Sequence, residues 1–105
     1  MIKTLSPEQA QELIASGECD VVDVREQREW SRGHLPGARL VPFDRLRQSP
    51  KSTLTRDNVI FVCAAGVRSQ AAAKVAEESG LSNVYNLSGG TRNWVNSGYQ
   101  LVVGE

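Results

Sequence analysis

Val59-Ile60-Phe61-Val62-Cys63-Ala64-Ala65-Gly66-Val67-Arg68-Ser69 is the stretch that decides the fold. Its first four residues are apolar without alternation, the pattern of a parallel strand covered on both faces. Cys63 ends the run. Three small residues follow, and helix formers then extend from Val67 to Ser79 with Ala71, Ala72, Val75 and Ala76 as the inner stripe and Gly80 as the stop. Val84-Tyr85-Asn86-Leu87 reads as the next strand. Strand, tight loop, helix, strand is a βαβ unit.

The flanks repeat the alternation. Towards the amino terminus, Val21-Val22-Asp23-Val24 is a short buried strand, and Gln27 to Arg32 suits a short helix before the turn at Gly33-His34-Leu35-Pro36-Gly37. Ala38-Arg39-Leu40-Val41-Pro42 is a candidate strand closed by its proline, and residues 43 to 57 are polar, with one helical turn at Asp44–Arg47. A first helix is marked by Ser6 as N-cap, Pro7 at the first position and Gln9 closing a capping box, with Ala10, Leu13 and Ile14 on one face and Gly17 as C-cap. Towards the carboxyl terminus, Ser88-Gly89-Gly90 leads into a last helix over Thr91–Ser97, ended by Gly98. The fold class is therefore α/β: one domain over residues 1–105, with a parallel sheet and helices on both faces. In such sheets sites form past the carboxyl ends of the strands. Asp23–Arg25 and Cys63–Ser69 occupy that position.

Composition narrows the function. Among 105 residues, twelve are basic and twelve acidic, two are cysteine and one is histidine. The balance argues against a nucleic-acid-coating or acidic-tail protein. Two cysteines are too few for a disulfide scaffold, and with a single histidine they cannot fill a four-ligand zinc site. Neither a metal nor another cofactor is expected. Met1 to Pro7 reaches a helix cap without an apolar leader, and no apolar run approaches the roughly 20 residues of a membrane span. The expectation is a cytoplasmic protein with reduced thiols, monomeric, with neither a nucleic acid nor a membrane as partner.

The chemistry concentrates in Cys63 to Ser69. A loop of small residues, with Gly66 free to take positive φ, can turn its amides towards one point at a helix N-terminus. A thiol placed there has its thiolate stabilised by those donors, by the helix dipole and by Arg68. Cys19, beside Gly17-Glu18 with no such loop after it, reads as packing at the other end of the sheet. A disulfide between the two is not expected.

Three segments in order resemble the rhodanese-type sulfurtransferase family: Asp23-Val24-Arg25-Glu26 with Glu29-Trp30 and Gly33-His34-Leu35-Pro36-Gly37-Ala38; then Cys63 to Ser69; then Gly89-Gly90, Trp94 and Gly98-Tyr99. Gln100 departs from the proline that many members carry. The resemblance implies a mostly parallel five-stranded sheet. It also implies catalysis by Cys63, whose thiolate takes the outer sulfur of thiosulfate or another persulfide donor and passes it to cyanide, a thiol or a protein cysteine. The persulfide would rest in the cradle of Ala64, Ala65, Gly66, Val67, Arg68 and Ser69, with Arg68 favouring an anionic donor. Partners are small sulfur donors and thiol or protein acceptors. Asp23 and Arg25 are read as a supporting ion pair. His34 is read as a turn histidine bonded to backbone, because the reaction needs no general base. Trp30 and Trp94 are read as packing, and Gly89-Gly90 as a tight turn.

Two rivals stay open. A cysteine phosphatase or arsenate reductase would enclose five residues between cysteine and arginine, whereas Cys63 and Arg68 enclose four. A non-catalytic or persulfide-sensing interaction module would not depend on sulfur transfer at Cys63. Between Arg25 and Arg47, six arginines face the acids Glu26, Glu29 and Asp44. They read as a solvated face, with steering of anionic donors as the alternative.

Overall fold

The structure, a computed structural model, describes residues 1–104. Its elements follow in chain order: β1 (Lys3–Leu5), α1 (Pro7–Ser16), β2 (Asp20–Asp23), α2 (Gln27–Arg32), β3 (Arg39–Leu40), α3 (Phe43–Gln48), α4 (Pro50–Thr53), β4 (Val59–Val62), α5 (Val67–Glu78), β5 (Val84–Leu87) and α6 (Gly90–Asn96). The strands form one five-stranded sheet in the order β1-β5-β4-β2-β3, and every neighbouring pair is parallel. The α/β class with a five-stranded sheet is thus as expected.

Local signals set the first helix. Ser6 Oγ accepts the Gln9 N–H at 3.1 Å while Gln9 Oε1 accepts the Ser6 N–H at 2.9 Å, which satisfies two donors that the helix leaves free. Gly17 closes α1 in the left-handed region at φ 75°. In α2 the Glu29 carboxylate accepts the Glu26 N–H in the same way.

Strand parity divides the core into two layers. Val59 and Phe61 of β4, with Val22, Val24 and Val84, face Leu46, Leu54, Ala72, Ala73 and Ala76. Ile60 and Val62, with Val21 and Leu87, face Ala10, Leu35 and Trp94. All four residues of β4 are fully buried, as the unbroken apolar run requires. Cys63 continues the odd-numbered parity and joins the layer that holds α5.

Some boundaries and faces differ from the sequence reading. In α5 the buried stripe is Ser69, Ala72, Ala73 and Ala76, and Ala71 is exposed. Steps of three, four and seven from Ser69 set that phase, and Ala71 falls about 200° away from it. The candidate strand at 38–42 shortens to Arg39–Leu40, although the Val41 N–H still reaches Asp23 O at 2.9 Å. The turn at 44–47 becomes the full helix α3, and α4 follows within the stretch read as polar. The fifth strand is β1, an edge strand of three residues. Among the described residues no helix is long and apolar enough to cross a membrane.

Candidate active site

Parallel strands deliver their carboxyl ends to one side of the sheet, and β4 delivers Cys63 there. The chain then turns through Ala64, Ala65 and Gly66 into α5. Gly66 caps that helix at φ 97°, in the left-handed region. The turn brings the Gly66 N–H to 3.0 Å from Cys63 Sγ. Ser69, one turn into α5, places its Oγ 3.3 Å from the same sulfur.

The opposite side of the loop is held by α6. The Thr91 N–H reaches Cys63 O at 2.9 Å and the Arg92 N–H reaches Ala64 O at 3.2 Å. These first-turn donors draw the loop carbonyls away from the sulfur. The approach demands glycine at position 90, because a Cβ there would lie 2.2 Å from Cys63 O. Gly89-Gly90 is therefore a turn, as its sequence suggests, and also the surface on which the cysteine loop rests.

Burial opposes ionisation of Cys63 and is the largest single influence on it. Hydrogen bonds from the Ser69 hydroxyl and from the amides of Ser69, Ala65 and Gly66 together outweigh burial, so the thiol is held below its ordinary value. Cys19 goes the other way. Burial raises its thiol, Arg56 partly offsets that, and Asp20 adds to it. Cys19 is half-buried beside the amino end of β2, with Sγ 3.7 Å from Leu13 O, at the far end of the sheet from Cys63.

Behind the sulfur lies a polar network that the sequence reading does not include. Ser69 Oγ donates to Asn86 Oδ1. Asn86 Nδ2 in turn donates to Gly66 O at 3.2 Å and to Gln70 Oε1 at 3.0 Å. Asn86 thus clamps both ends of the turn from β5. Ser69 carries a single hydroxyl proton, so while Asn86 takes it the neutral thiol donates to the serine oxygen. Ionisation of Cys63 turns that proton towards the sulfur. The one legible signal for Asn86 is a polar residue within an otherwise core-forming strand.

Arg68 is committed elsewhere. Its Nη1 and Nη2 donate to Glu29 Oε1 and Oε2 at 2.8 and 3.0 Å, a bidentate pair between α5 and α2. That pair and the Glu26 N–H lower the Glu29 carboxyl to about 2 against the opposing effect of burial, and hold Arg68 still more firmly protonated. The sequence reading aims Arg68 at donor and thiolate. In the structure its planar fork is filled by a carboxylate, and only its charge acts on Cys63 through space.

Asp23 and Arg25 form the expected ion pair at the end of β2. Arg25 Nε lies 2.9 Å from Asp23 Oδ1, its Nη2 lies 2.8 Å from Oδ2, and Nη2 also reaches Gly33 O at 2.7 Å. Both side chains are buried, so neither is presented at the surface. The pair fixes the carboxyl end of α2, and α2 carries Glu29 to Arg68. His34 is buried with its ring stacked on Trp30 at 3.5 Å and its Nδ1 3.2 Å from Trp30 O. Its partner is thus a helix carbonyl rather than the turn before Pro36.

Three of the six arginines at 25–47 are in ion pairs: Arg25 with Asp23, Arg39 with Asp20 and Arg47 with Asp44. A surface groove lined by residues that include Gln27, Trp30, Arg39 and Arg45 leaves the Cys63 loop out. Among the described residues no three His, Cys, Asp or Glu side chains cluster in a way that could hold a metal ion. The arrangement is a cradle of donors that favours the thiolate, which equips it to hold a nucleophilic sulfur and an anionic adduct on it.

Comparison with known proteins agrees with this geometry. Residues 6–97 match the model of the rhodanese-like domain. The chain is 36% identical over 92 residues to the thiosulfate sulfurtransferase GlpE of Ectopseudomonas mendocina, spanning 88% of this chain and 84% of that protein. It superposes on a rhodanese-related protein from Thermoplasma volcanium with a TM-score of 0.86 and 31% identity, covering 97% of this chain and 99% of the other. It superposes on the human single-domain sulfurtransferase TSTD1 with a TM-score of 0.77 and 25% identity, covering 89% and 95% respectively.

Proposed function

The chain belongs to the rhodanese-like domain family, and on that premise we propose that it is a sulfurtransferase in which Cys63 carries the sulfur. The observation that supports this most directly is the Cys63 sulfur held by the Gly66 amide and the Ser69 hydroxyl at the start of α5. In the first step the Cys63 thiolate attacks the outer sulfur of thiosulfate or another sulfane donor. A sulfur–sulfur bond forms on Cys63, the donor's own bond to that sulfur breaks, and sulfite or a thiolate leaves with the electron pair. In the second step an acceptor such as cyanide, a thiol or a protein cysteine attacks the outer sulfur, and the Cys63 thiolate is regenerated. Neither step requires a base, because the attacking species is the thiolate, which the cradle's hydrogen bonds favour.

The cradle amides serve both states. They stabilise the thiolate before attack and the persulfide anion after it, with little reorganisation. Asp23, Arg25 and Glu29 act at one remove by holding α2 against the loop.

Incubation with a sulfane donor should add one sulfur atom to the intact protein, and Cys63→Ser should abolish the addition. A wild-type protein that gains no sulfur would favour an interaction module. Turnover of an aryl phosphate that depends on Cys63 would favour a phosphatase.

A further inference from the structure

The Ser69 hydroxyl is claimed from two sides, and the distances decide between them. Asn86 Nδ2 lies 3.2 Å from Gly66 O, an atom that can only accept, so the orientation of the amide is fixed and its oxygen faces Ser69. Ser69 Oγ lies 2.5 Å from that oxygen and 3.3 Å from Cys63 Sγ. Two bare oxygens would repel at the shorter distance, so the hydroxyl proton stands between Ser69 and Asn86. Both side chains are buried.

That arrangement suits a neutral thiol. Ionisation of Cys63 calls the same proton to the sulfur, and the buried Asn86 oxygen then loses its donor. The thiolate therefore forms at the cost of one hydrogen bond behind the cradle, which offsets part of what the Ser69 hydroxyl supplies to the sulfur. The charged groups that the chain brings around the loop are Arg68 of α5 with its partner Glu29 of α2, the Asp23–Arg25 pair past β2, and Arg92 of α6. Among the described residues none of them bonds the Ser69 or Asn86 side chain, and every variant below retains them all.

Resting on the sulfurtransferase reading above, we propose that Asn86 is a positioning residue for the nucleophile: by competing with Cys63 for the Ser69 proton, it keeps the thiolate less tightly held and so more reactive towards a donor sulfur. A thiolate's intrinsic nucleophilicity falls as the thiol becomes easier to ionise. Left to the Gly66 amide and the Ser69 hydroxyl alone, the sulfur would ionise readily and attack slowly. Asn86 opposes that without removing either donor, because its Nδ2 bonds to Gly66 O and Gln70 Oε1 keep the loop in place. The hydroxyl proton stays on Ser69 throughout and only its acceptor changes, from Asn86 Oδ1 to Cys63 Sγ. The thiol proton leaves to solvent.

The experiment follows Cys63 in the full chain by the pH dependence of iodoacetamide alkylation, in a Cys19→Ser background and with no sulfur donor present. Asn86→Leu should move the midpoint down by about half to one pH unit, the scale of one net hydrogen bond, and lower the high-pH plateau rate by about two- to threefold. A cradle that is merely loosened would move the midpoint up instead, because donors to the thiolate would be lost. In a Ser69→Ala background there is no proton to contest, so adding Asn86→Leu should leave the midpoint in place. A second measurement needs no change at Asn86: in a carbon-13 NMR titration its side-chain carbonyl carbon should shift with the Cys63 midpoint, and that shift should vanish in Ser69→Ala. A midpoint that rises or stays in Asn86→Leu, one that moves as much without the serine hydroxyl, or a carbonyl carbon that stays flat through the Cys63 midpoint overturns the proposal and leaves the sulfurtransferase reading standing. That reading fails separately, if no sulfane donor adds sulfur to Cys63.

Discussion

At the scale of residues, Cys63 and Cys19 are one amino acid in two electrostatic settings. Hydrogen bonds outweigh burial at Cys63 and the thiol is lowered, whereas burial dominates at Cys19 and the thiol is raised. In a Cys19→Ser background, the rate of iodoacetamide alkylation should therefore titrate below the ordinary range of a free cysteine. Ser69→Ala removes a bond that favours the charged form, so its alkylation profile should move to higher pH. Sulfur transfer at neutral pH should fall roughly tenfold or more, the usual order for losing one donor to a reacting anion. An unmoved profile would mean that Ser69 only packs. Cys63 was legible because the glycine, the small residues and the helix start are all within six positions of it. Asn86 was not, because its bonds to residues 66, 69 and 70 exist only once β5 lies beside β4.

At the scale of elements, α2 is held at both ends by charge. Asp23→Ala would leave the Arg25 guanidinium buried without its carboxylate, and the protein should lose about 3–5 kcal/mol of stability in urea unfolding. The Glu29–Arg68 pair has its own pH signature. The folded-state Glu29 carboxyl lies at about 2 against 4.5 for an unperturbed one. A lowered carboxyl contributes stability above its unfolded value and loses it as pH falls through the folded one. The pair's contribution should therefore persist down to about pH 4.5 and fade towards about pH 2, which an NMR titration of the Glu29 carboxyl carbon checks directly. Element legibility divides along the same line. The caps of α1 could be read because Ser6, Pro7, Gln9 and Gly17 act on their own neighbours. Helix α4 has four residues and no apolar period, and β1 has three residues with two of them exposed, so neither leaves a pattern of sufficient length. The pair between Glu29 and Arg68 spans 39 positions, and nothing local announces it.

At the scale of the whole molecule, the carboxyl-terminal tail closes the layer opposite Cys63. Trp94 Nε1 donates to Gln100 O at 3.0 Å, and His34 and Val102 exchange backbone bonds at 2.9 and 2.8 Å. Gln100, the departure from the family's proline, acts here through its carbonyl, which either residue would supply. Removing residues 100–105 should orphan the buried indole N–H and cost on the order of 3 kcal/mol, with a lower Tm. The Cys63 alkylation profile of the protein that remains folded should stay in place, because among the described residues the tail bonds none of the cradle residues. The parallel sheet and its two covered faces were legible from the unbroken run at 59–62 and the alternation around it. The order of the strands was not, since it depends on which edges find each other.

The alternation of β4 has one more consequence. Val59, Phe61 and Cys63 share a side, so the thiol reaches α5 only because it stands an even number of positions beyond them. One residue inserted between Asn58 and Cys63, with the strand's pairing otherwise kept, would rotate the sulfur by half a turn into the layer of Leu35 and Trp94. The Gly66 amide and the Ser69 hydroxyl, on the α5 side, would no longer face it. The address of the chemistry is thus written in odd and even numbers, and a frame slip of one would silence the proposed sulfur transfer while every residue of the cradle was still present.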